Sequence, residues 1–260
     1  MEERKYFEAA VSFERIYFTS EDTQTKIIAN LKRAEALKQM GAFTKARNDL
    51  QRSVHVNIHA DLHQKVLYEM AFCDYMAGNY TSSLAFLSQI EHYYPVLRES
   101  NEVERLFALT NVMLGNWEKS REHTVVLIEK SLSSQMIKDS LVTETANLFC
   151  NCKWPIEKSE KRAGMLSTFL PGSGQVYAGY PGKGILNAGS QLLALSFAGV
   201  MMWQGLYITG FTVGLGLFQS FYFGGIRQAN FLTHQSNLGD FADYKEKLSL
   251  FIFSIENFQE

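Results

Sequence analysis

The residues with the greatest potential for chemistry in this sequence are three histidines spaced four residues apart. They are His55, His59 and His63. On one continuous helix this spacing would place three imidazoles on one face, and imidazole is a common zinc ligand. The three positions fall where one helix is expected to end and the next to begin. Histidines at a surface or at a helix interface are therefore the favoured interpretation, and no metal site is predicted.

A second chemical motif lies in a glycine-rich segment. Gly174-x-x-x-x-Gly179 has the glycine spacing that opens a phosphate-binding loop. Such a loop next requires Lys followed by Ser or Thr, but here Tyr180-Pro181 follows, and no nearby acid could ligate Mg²⁺. The sequence therefore predicts neither nucleotide binding nor any other cofactor.

The cysteines and the net charge exclude further classes of function. Cys150-Asn-Cys152 lacks the two-residue spacer of common zinc and redox pairs, so ordinary thiols are expected. No Ser/His/Asp or Cys/His arrangement stands out. The formal net charge of −2 gives no general reason to bind nucleic acid. We therefore expect a protein that is not an enzyme and has no evident small-molecule substrate.

The element that dominates the first half of the chain is an internal repeat. Gly41, Gly78 and Gly115 are 37 residues apart. An alanine precedes each glycine by seven residues, an aromatic residue follows after two and a small residue after five: Ala34, Ala71 and Ala108; Phe43, Tyr80 and Trp117; Ala46, Ser83 and Ser120. The pattern predicts helix–turn–helix units in which the small residues allow close packing and the glycine makes the turn at positive φ.

This pattern resembles the tetratricopeptide repeat, slightly lengthened, over about residues 1–130, with a capping helix at about 135–150. The resemblance implies a helical solenoid whose concave groove binds a peptide or helix of a protein partner. The expected groove residues come mainly from the first helices of the repeats: Asn30, Lys38, Leu67, Asp74, Glu104 and Asn111.

The second half of the chain is organised by an apolar stretch, residues 163–227, in which Lys183 is the one charge between the end residues. Two uncharged segments, 184–203 and 206–223, are separated by the turn Gln204-Gly205. Each is long enough to cross a hydrocarbon core of about 30 Å. A two-helix transmembrane hairpin is predicted, and the alternative is a buried hairpin of a soluble helical domain.

Small residues predict how the two spans meet, because helices in lipid pack closely through them. On the first span the small residues recur every four positions, at Ser190, Ala194 and Ala198. On the second span Gly210 and Gly214 form G-x-x-x-G. Before the hairpin, the Gly-rich segment 170–184 is predicted to turn at the membrane interface, with Tyr177 at the headgroup level.

This turn carries a second resemblance. Pro171, Gly172, Gly174, Gln175, Tyr177 and Gly179 spell the P-G-x-G-Q-x-Y-x-G signature of a small two-span membrane module. The segment Phe221–Gly225 followed by Arg227 is similar to the end of that module in bacterial envelope proteins that join it to tetratricopeptide repeats. The resemblance implies a bacterial inner-membrane protein with no established biochemical activity.

The flanks of the hairpin bear on its topology. Basic residues lie on both flanks and none lies in the central turn: Lys153, Lys158, Lys161, Arg162, Lys183 and Arg227. The positive-inside rule therefore places the repeats and the C-terminus together in the cytoplasm. Residues 2–18 match the second helix of a repeat, so either they form an N-terminal cap or the precursor begins upstream. An upstream signal sequence, often found in the similar proteins, would place the repeats in the periplasm.

The tail is predicted to form an amphipathic helix that either lies on the membrane surface or docks on the repeats. Docking is favoured, because the acids of the tail outnumber its bases and anionic lipid would repel them. Its apolar stripe has helical spacing: Phe241, Tyr244, Leu248, Phe251, Ile255 and Phe258.

The expected fold is all-α: a tetratricopeptide-like helical-repeat solenoid over 1–152, a basic linker 153–163, a membrane module 164–227 and an amphipathic tail 228–260. The expected function is a membrane-anchored scaffold that binds a protein partner through the repeat groove. The alternative is a subunit of a membrane transport or insertion complex, in which the polar residues Asn187, Gln191 and Gln219 of the hairpin face a pathway.

Overall fold

The fold is described by a computed structural model for residues 2–54, 59–94 and 100–258. Every regular element in these ranges is helical, and the ranges contain no strand, so the all-α prediction is confirmed. The chain divides into two compact units. The first comprises Met1–Lys153 and Lys247–Glu260, and the second comprises Trp154–Glu246.

The first unit is an array of helices in which each helix packs against the next along the chain. In chain order they are α1 Glu2–Thr19, α2 Thr23–Gln39, α3 Phe43–Gln51, α4 Ala60–Met76, α5 Tyr80–Tyr93, α6 Asn101–Leu114, α7 Trp117–Ser131 and α8 Gln135–Leu148. Alternate helices also touch, α2 with α4 and α4 with α6. The core is therefore continuous from one helix pair to the next.

The turns within the helix pairs share one backbone geometry. Gly41, Gly78 and Gly115 have φ of 69°, 81° and 77°, which confirms the predicted positive φ. The residue after each glycine donates its N–H to the carbonyl oxygen five positions back, at 2.9, 2.8 and 2.9 Å. This is the bond that closes a helix end around a left-handed glycine. The 37-residue period therefore recurs in the backbone as well as in the sequence.

The small residues of the period are buried where helices approach each other. Ala34, Ala71 and Ala108 have no exposed surface, and neither have Ala46, Ser83 and Ser120. In the last pair the Ser120 hydroxyl donates to the carbonyl oxygen of Ala108 at 2.9 Å. A larger side chain at these positions would push the paired helices apart.

The two cysteines after α8 differ from the expectation. Cys150 and Cys152 are joined by a disulfide, whereas free thiols were predicted. The Asn151–Lys153 segment forms a turn of 3₁₀-helix, which brings the two Cα atoms to 5.2 Å, within the range that a disulfide spans. Cys73 is a free, buried thiol.

The second unit is also helical. Its elements are α9 Glu160–Phe169, α10 Ser173–Tyr177, α11 Pro181–Trp203, α12 Tyr207–Thr209, a π-helical turn Gly210–Leu215, and α13 Gly216–Ser254, of which the part from Lys247 belongs to the first unit. The predicted interfacial turn 170–184 contains α10 and the start of α11. Its reversals fall at Gly172 and Gly179, with φ of 88° and 94°.

One helix of the described residues, α11, is long and apolar enough to cross a membrane by length and composition, which alone is weak support for membrane association. The expected second span, 206–223, is divided among α12, the π-helical turn and the start of α13. The boundary expected at 227/228 lies inside α13, which continues without interruption.

The end of the chain packs within the first unit. Leu248, Ile252 and Ile255 have no exposed surface. The final 3₁₀ turn, Ile255–Phe258, contacts α7, and Glu256 forms an ion pair with Arg105. Of the predicted apolar stripe, Leu248, Phe251 and Ile255 are buried, whereas Phe258 is exposed.

Candidate binding surface and membrane module

The six residues expected to line a binding groove are mostly inside the first unit. Five of them are at most 3% exposed: Asn30, Leu67, Asp74, Glu104 and Asn111. Lys38 alone keeps part of its side chain at the surface. The first helices turn these positions toward neighbouring helices, so four of the five, all except Asn111, are not available to a partner. The predicted groove is therefore wrong for these four residues, whereas Asn111 lines a cavity described below.

Asn30 belongs to a buried polar network among α1, α2 and α3. Its side-chain amide donates to the Ser53 hydroxyl at 3.0 Å and to the carbonyl oxygen of Asp49 at 3.3 Å. The guanidinium of Arg33, only 5% exposed, lies 3.1 Å from carboxylates of both Glu14 and Asp49. Buried charges are retained when they are paired in this way. The network therefore ties α1, α2 and α3 together.

Lys38 and Asp74 have comparable partners on adjacent helices. The Lys38 ammonium lies 2.5 Å from a Glu69 carboxylate oxygen and 5.0 Å from the centroid of the Phe72 ring. The Asp74 carboxylate accepts a hydrogen bond from the Ser82 hydroxyl at 2.5 Å and lies 3.6 Å from the guanidinium of Arg47. Both residues therefore hold helices together.

Glu104 is the most deeply buried acid among the described residues. Its carboxylate lies 2.8 Å from the His123 Nδ1 and 3.2 Å from the Lys130 Nζ. Burial acts to raise the pKa of Glu104, but the hydrogen bonds from His123 and Lys130 outweigh it and lower the pKa below its ordinary value. The His123 ring also stacks on Phe107, with centroids 4.3 Å apart. This cluster fixes α7 against α6.

The concave surface of the first unit includes two adjoining cavities along α7. A cavity of about 640 Å³ is lined by residues of α7 together with Phe149 and Asn151. A second cavity, of about 220 Å³, lies among α5, α6 and α7. The two share Glu122 and Val126 as lining residues. We call these adjoining cavities the α7 surface. The groove expectation named one lining residue, Asn111, and missed the others because it took partner contacts mainly from first helices, whereas α7 is a second helix.

The three histidines do not form a common site in the described residues. His55 lies outside them, His59 precedes α4, and His63 lies within α4. The His63 Nδ1 lies 2.5 Å from the Tyr94 hydroxyl oxygen, and burial lowers the pKa of His63. His63 therefore joins α4 to the end of α5, which is a structural contact.

The signature residues of the Gly-rich segment form the centre of the second unit. Gln175 is fully buried, and its amide nitrogen donates to the carbonyl oxygen of Gly225 at 2.9 Å. The Ser167 hydroxyl donates to the Gln175 carbonyl oxygen at 3.3 Å and accepts from the Gly174 N–H at 3.1 Å. Gln175 thus links α9 and α10 to α13. Sequence reasoning did not name Ser167, and it did not pair Gly225 with Gln175, because nothing local marks a partner 50 positions away.

Two glycines of the signature, Gly172 and Gly174, are required by close approach. A Cβ at Gly174 would lie 2.1 Å from the carbonyl oxygen of Ala163, and one at Gly172 would lie 2.2 Å from that of Gly184. The Tyr177 hydroxyl accepts a hydrogen bond from the Ser159 N–H at 3.2 Å. Pro171, half-buried, precedes the first reversal. The signature therefore builds a packed junction, in which Tyr177 caps the entry to α9.

The span-packing residues are brought together only in part. A Cβ at Gly214 would lie 2.5 Å from that of Ala198, and Gly210 packs against the same turn of α11. Ala194 is buried nearby, at 5% exposure. Ser190 instead donates its hydroxyl to the Leu186 carbonyl oxygen of its own helix at 2.8 Å. The close contact thus involves Ala198 with both glycines.

Comparison with known proteins adds nothing to this geometry. The sequence matches no family model, and neither a curated protein nor a solved structure shows significant similarity to the chain.

Proposed function

We propose that this chain is a membrane-anchored scaffold that binds a protein partner through its helical-repeat unit. The observation that carries the proposal is the exposure of large apolar side chains on α11 and the segment after it. Nine of them are at least 52% exposed: Ile185, Leu186, Leu192, Leu193, Val200, Trp203, Tyr207, Ile208 and Phe211. A contiguous apolar surface of this kind in water would drive aggregation, whereas lipid accommodates it.

The anchor in this proposal is a two-span hairpin. The first leg is α11, and the return leg begins after Gly205, whose φ of 79° allows the tight turn. The close contact of Ala198 with Gly214 is the kind of small-residue packing that holds helices together in lipid. The π-helical turn keeps this second leg helical, so its backbone groups remain bonded in the hydrocarbon core.

The proposed location is a bacterial inner membrane, with the repeats and the C-terminus on one side. The basic flanks favour the cytoplasmic side, whereas the Cys150–Cys152 disulfide would persist on an oxidising side, such as the periplasm. Labelling Cys150 in intact spheroplasts after mild reduction decides between them. Labelling by an impermeant maleimide would place the repeats in the periplasm, and protection until lysis would place them in the cytoplasm.

The partner surface in this proposal is the α7 surface. It combines apolar walls with side chains of both charges, including Val126, Glu122 and Arg121, and it is open to solvent. A partner segment with an apolar side chain beside charged ones of both signs, one of them a base facing Glu122, would complement it. The solenoid resemblance supports the same class of function, because helical arrays present extended surfaces to peptides.

Crosslinking in membranes tests the scaffold function. Glu122→Lys reverses a charge shared by both cavities, and Glu129→Lys makes the same change on an exposed residue of α7 that lines neither. A stoichiometric crosslinked protein should be lost with Glu122→Lys and kept with Glu129→Lys. Recovery that is equal for the two variants would refute the assignment of the α7 surface. Absence of any stoichiometric protein would refute the scaffold itself.

One observation favours a second function, in which the hairpin works inside a transport or insertion complex. Gln191, 2% exposed, donates to the Asn187 carbonyl oxygen at 3.1 Å, while its own side-chain oxygen has no partner among the described residues. Replacing Asn187, Gln191 and the exposed Gln219 with Leu should abolish function in cells under this alternative. The same triple variant should leave crosslinking to the partner unchanged if the chain is a scaffold.

A further inference from the structure

A cavity of about 450 Å³ lies between the start of α11 and the middle of α13 in the second unit. Lys183 and Asn187 line it from α11, and Phe221, Gly225 and Gln228 line it from α13. Lys183 is the only charged residue among its lining residues in the described part of the chain, and no carboxylate is among them. The cavity therefore favours an anion.

Two of the polar side chains that line the cavity, Lys183 and Asn187, offer hydrogen-bond donors. The Lys183 ammonium lies 4.9 Å from the centroid of the Tyr180 ring, which holds it near the helix start. The Asn187 side-chain nitrogen is buried and has no hydrogen-bond partner among the described residues. The hydroxyls of Ser190 and Ser220 already donate to carbonyl oxygens of their own helices, at 2.8 and 2.9 Å. The Lys183 ammonium and the Asn187 amide nitrogen are therefore the donors that could bind an acceptor in the cavity.

Two neighbours fix the Asn187 amide in this orientation. Gln191 donates to its oxygen at 3.1 Å, which leaves the nitrogen as the unused group. Gly225 leaves room for it, because a Cβ there would lie 2.1 Å from the Asn187 nitrogen. A donor that is buried without a partner carries a desolvation cost that no hydrogen bond offsets. The arrangement is explained if a ligand supplies the missing acceptor.

The position of the cavity identifies the ligand. Its apolar walls, Leu186 and Phe221, are exposed at 72% and 41% at the edge of the apolar surface, whereas Lys183 and Gln228 lie on its polar side. A lipid presents the same sequence of groups, with an anionic phosphodiester above apolar chains. We propose that this cavity binds the phosphodiester headgroup of an anionic phospholipid. The proposal rests on the membrane anchor proposed above for α11.

Lipid binding to the purified full chain tests the site. The chain in a mild non-ionic detergent is titrated with dioleoyl-phosphatidylglycerol, dioleoyl-phosphatidylcholine or inorganic phosphate, and bound molecules are counted by native mass spectrometry. Lys183→Gln removes the cation. Asn187→Asp replaces the amide donor by a carboxylate, whose negative charge would repel the phosphodiester. Arg227→Gln is the matched control, because Arg227 is exposed close by in sequence but does not line the cavity.

We expect phosphatidylglycerol to bind more tightly than phosphatidylcholine. Loss of a charge-assisted hydrogen bond should weaken phosphatidylglycerol binding by about tenfold or more in Lys183→Gln. Asn187→Asp should weaken it similarly, and Arg227→Gln should leave it within about twofold. Equal binding of the two lipids, or an equal loss in Arg227→Gln, would overturn the site. Inorganic phosphate that binds as tightly as the lipid would assign the cavity to a free anion and overturn the lipid source.

Alkaline extraction of membranes separates this result from failure of the anchor. A chain released by sodium carbonate would refute the membrane anchor. A chain that resists extraction but binds both lipids equally would refute the headgroup site alone.

Discussion

Replacing Gly174 with Ala should unfold the second unit at a much lower temperature. The added Cβ would lie 2.1 Å from the Ala163 carbonyl oxygen, 2.3 Å from the Ser167 hydroxyl and 2.8 Å from the Ala229 Cβ. The first of these atoms belongs to the backbone of α9, so the clash cannot be relieved by rotating a side chain. The helices α9 and α13 must therefore move apart from α10.

The magnitude follows from two losses. Overpacking a filled core costs about 1–3 kcal/mol. Displacement of Ser167 also breaks its bonds to the Gly174 N–H and to Gln175, each contributing about 1 kcal/mol. The sum is about 3–5 kcal/mol. Because 1 kcal/mol lowers the Tm of a unit of this size by about 4–8 °C, we expect a fall of more than about 10 °C.

The assay is thermal unfolding of the purified full chain in a mild detergent, followed by far-ultraviolet circular dichroism. Gly189→Ala is the control, since Gly189 lies inside α11 and a Cβ there meets nothing within 4 Å. Alanine at that position should stabilise the helix by about 0.5–1 kcal/mol. If Gly174→Ala has the same Tm as Gly189→Ala, the close packing of the signature is refuted.

Three further predictions concern the first unit. Gly78→Ala should lower the free energy of unfolding by about 1–2 kcal/mol. The loss comes from backbone strain at φ of 81° alone, because an added Cβ meets nothing within 4 Å. Denaturant titration measures the loss, and Gly78→Asn should lower the free energy of unfolding by less. Hydrogen bonds from groups such as His123 hold the pKa of Glu104 below its ordinary value despite burial. The ionised Glu104 carboxylate therefore stabilises the fold fully above about pH 4.5, and this stabilisation is lost as the pH falls through the lower folded-state pKa. Glu104→Gln should flatten the acid end of a pH–Tm profile. A maleimide should label Cys150 and Cys152 in the native chain only after reduction, and labelling without reductant would contradict the disulfide.

The features that sequence predicted correctly depend on one residue and its local conformation. A glycine is required wherever φ is positive, so the 37-residue spacing of Gly41, Gly78 and Gly115 located three turns before any tertiary contact was known. The burial of Ala71 and Ala108 follows equally from their small size at a recurring helix contact. Local requirements of this kind leave a visible period.

The features that sequence missed depend on pairs of distant residues. Asn30 and Glu104 are polar, and without their partners they read as surface residues. In the structure the Asn30 amide donates to Asp49 of α3 and to Ser53 just after it, and Glu104 is paired with His123 of α7. The burial of these two side chains therefore costs less free energy than burial without partners would. The same applies to Gly225, which the sequence placed only at the end of the membrane module. It lies within α13 because its missing side chain makes room for Asn187.

One repeat position shows why the period specifies a framework and not a binding chemistry. Arg33 and Asp49 form an ion pair at 3.1 Å, and one period later Met70 is buried in an apolar cluster against which Phe86 packs. Two periods later the equivalent residues, Phe107 and His123, stack their rings. Complementary pairs of quite different chemistry thus fill one space without changing the turn or the small-residue contacts. Because such different pairs occupy equivalent positions, the period specifies the helical framework and does not specify the chemistry of the exposed surface.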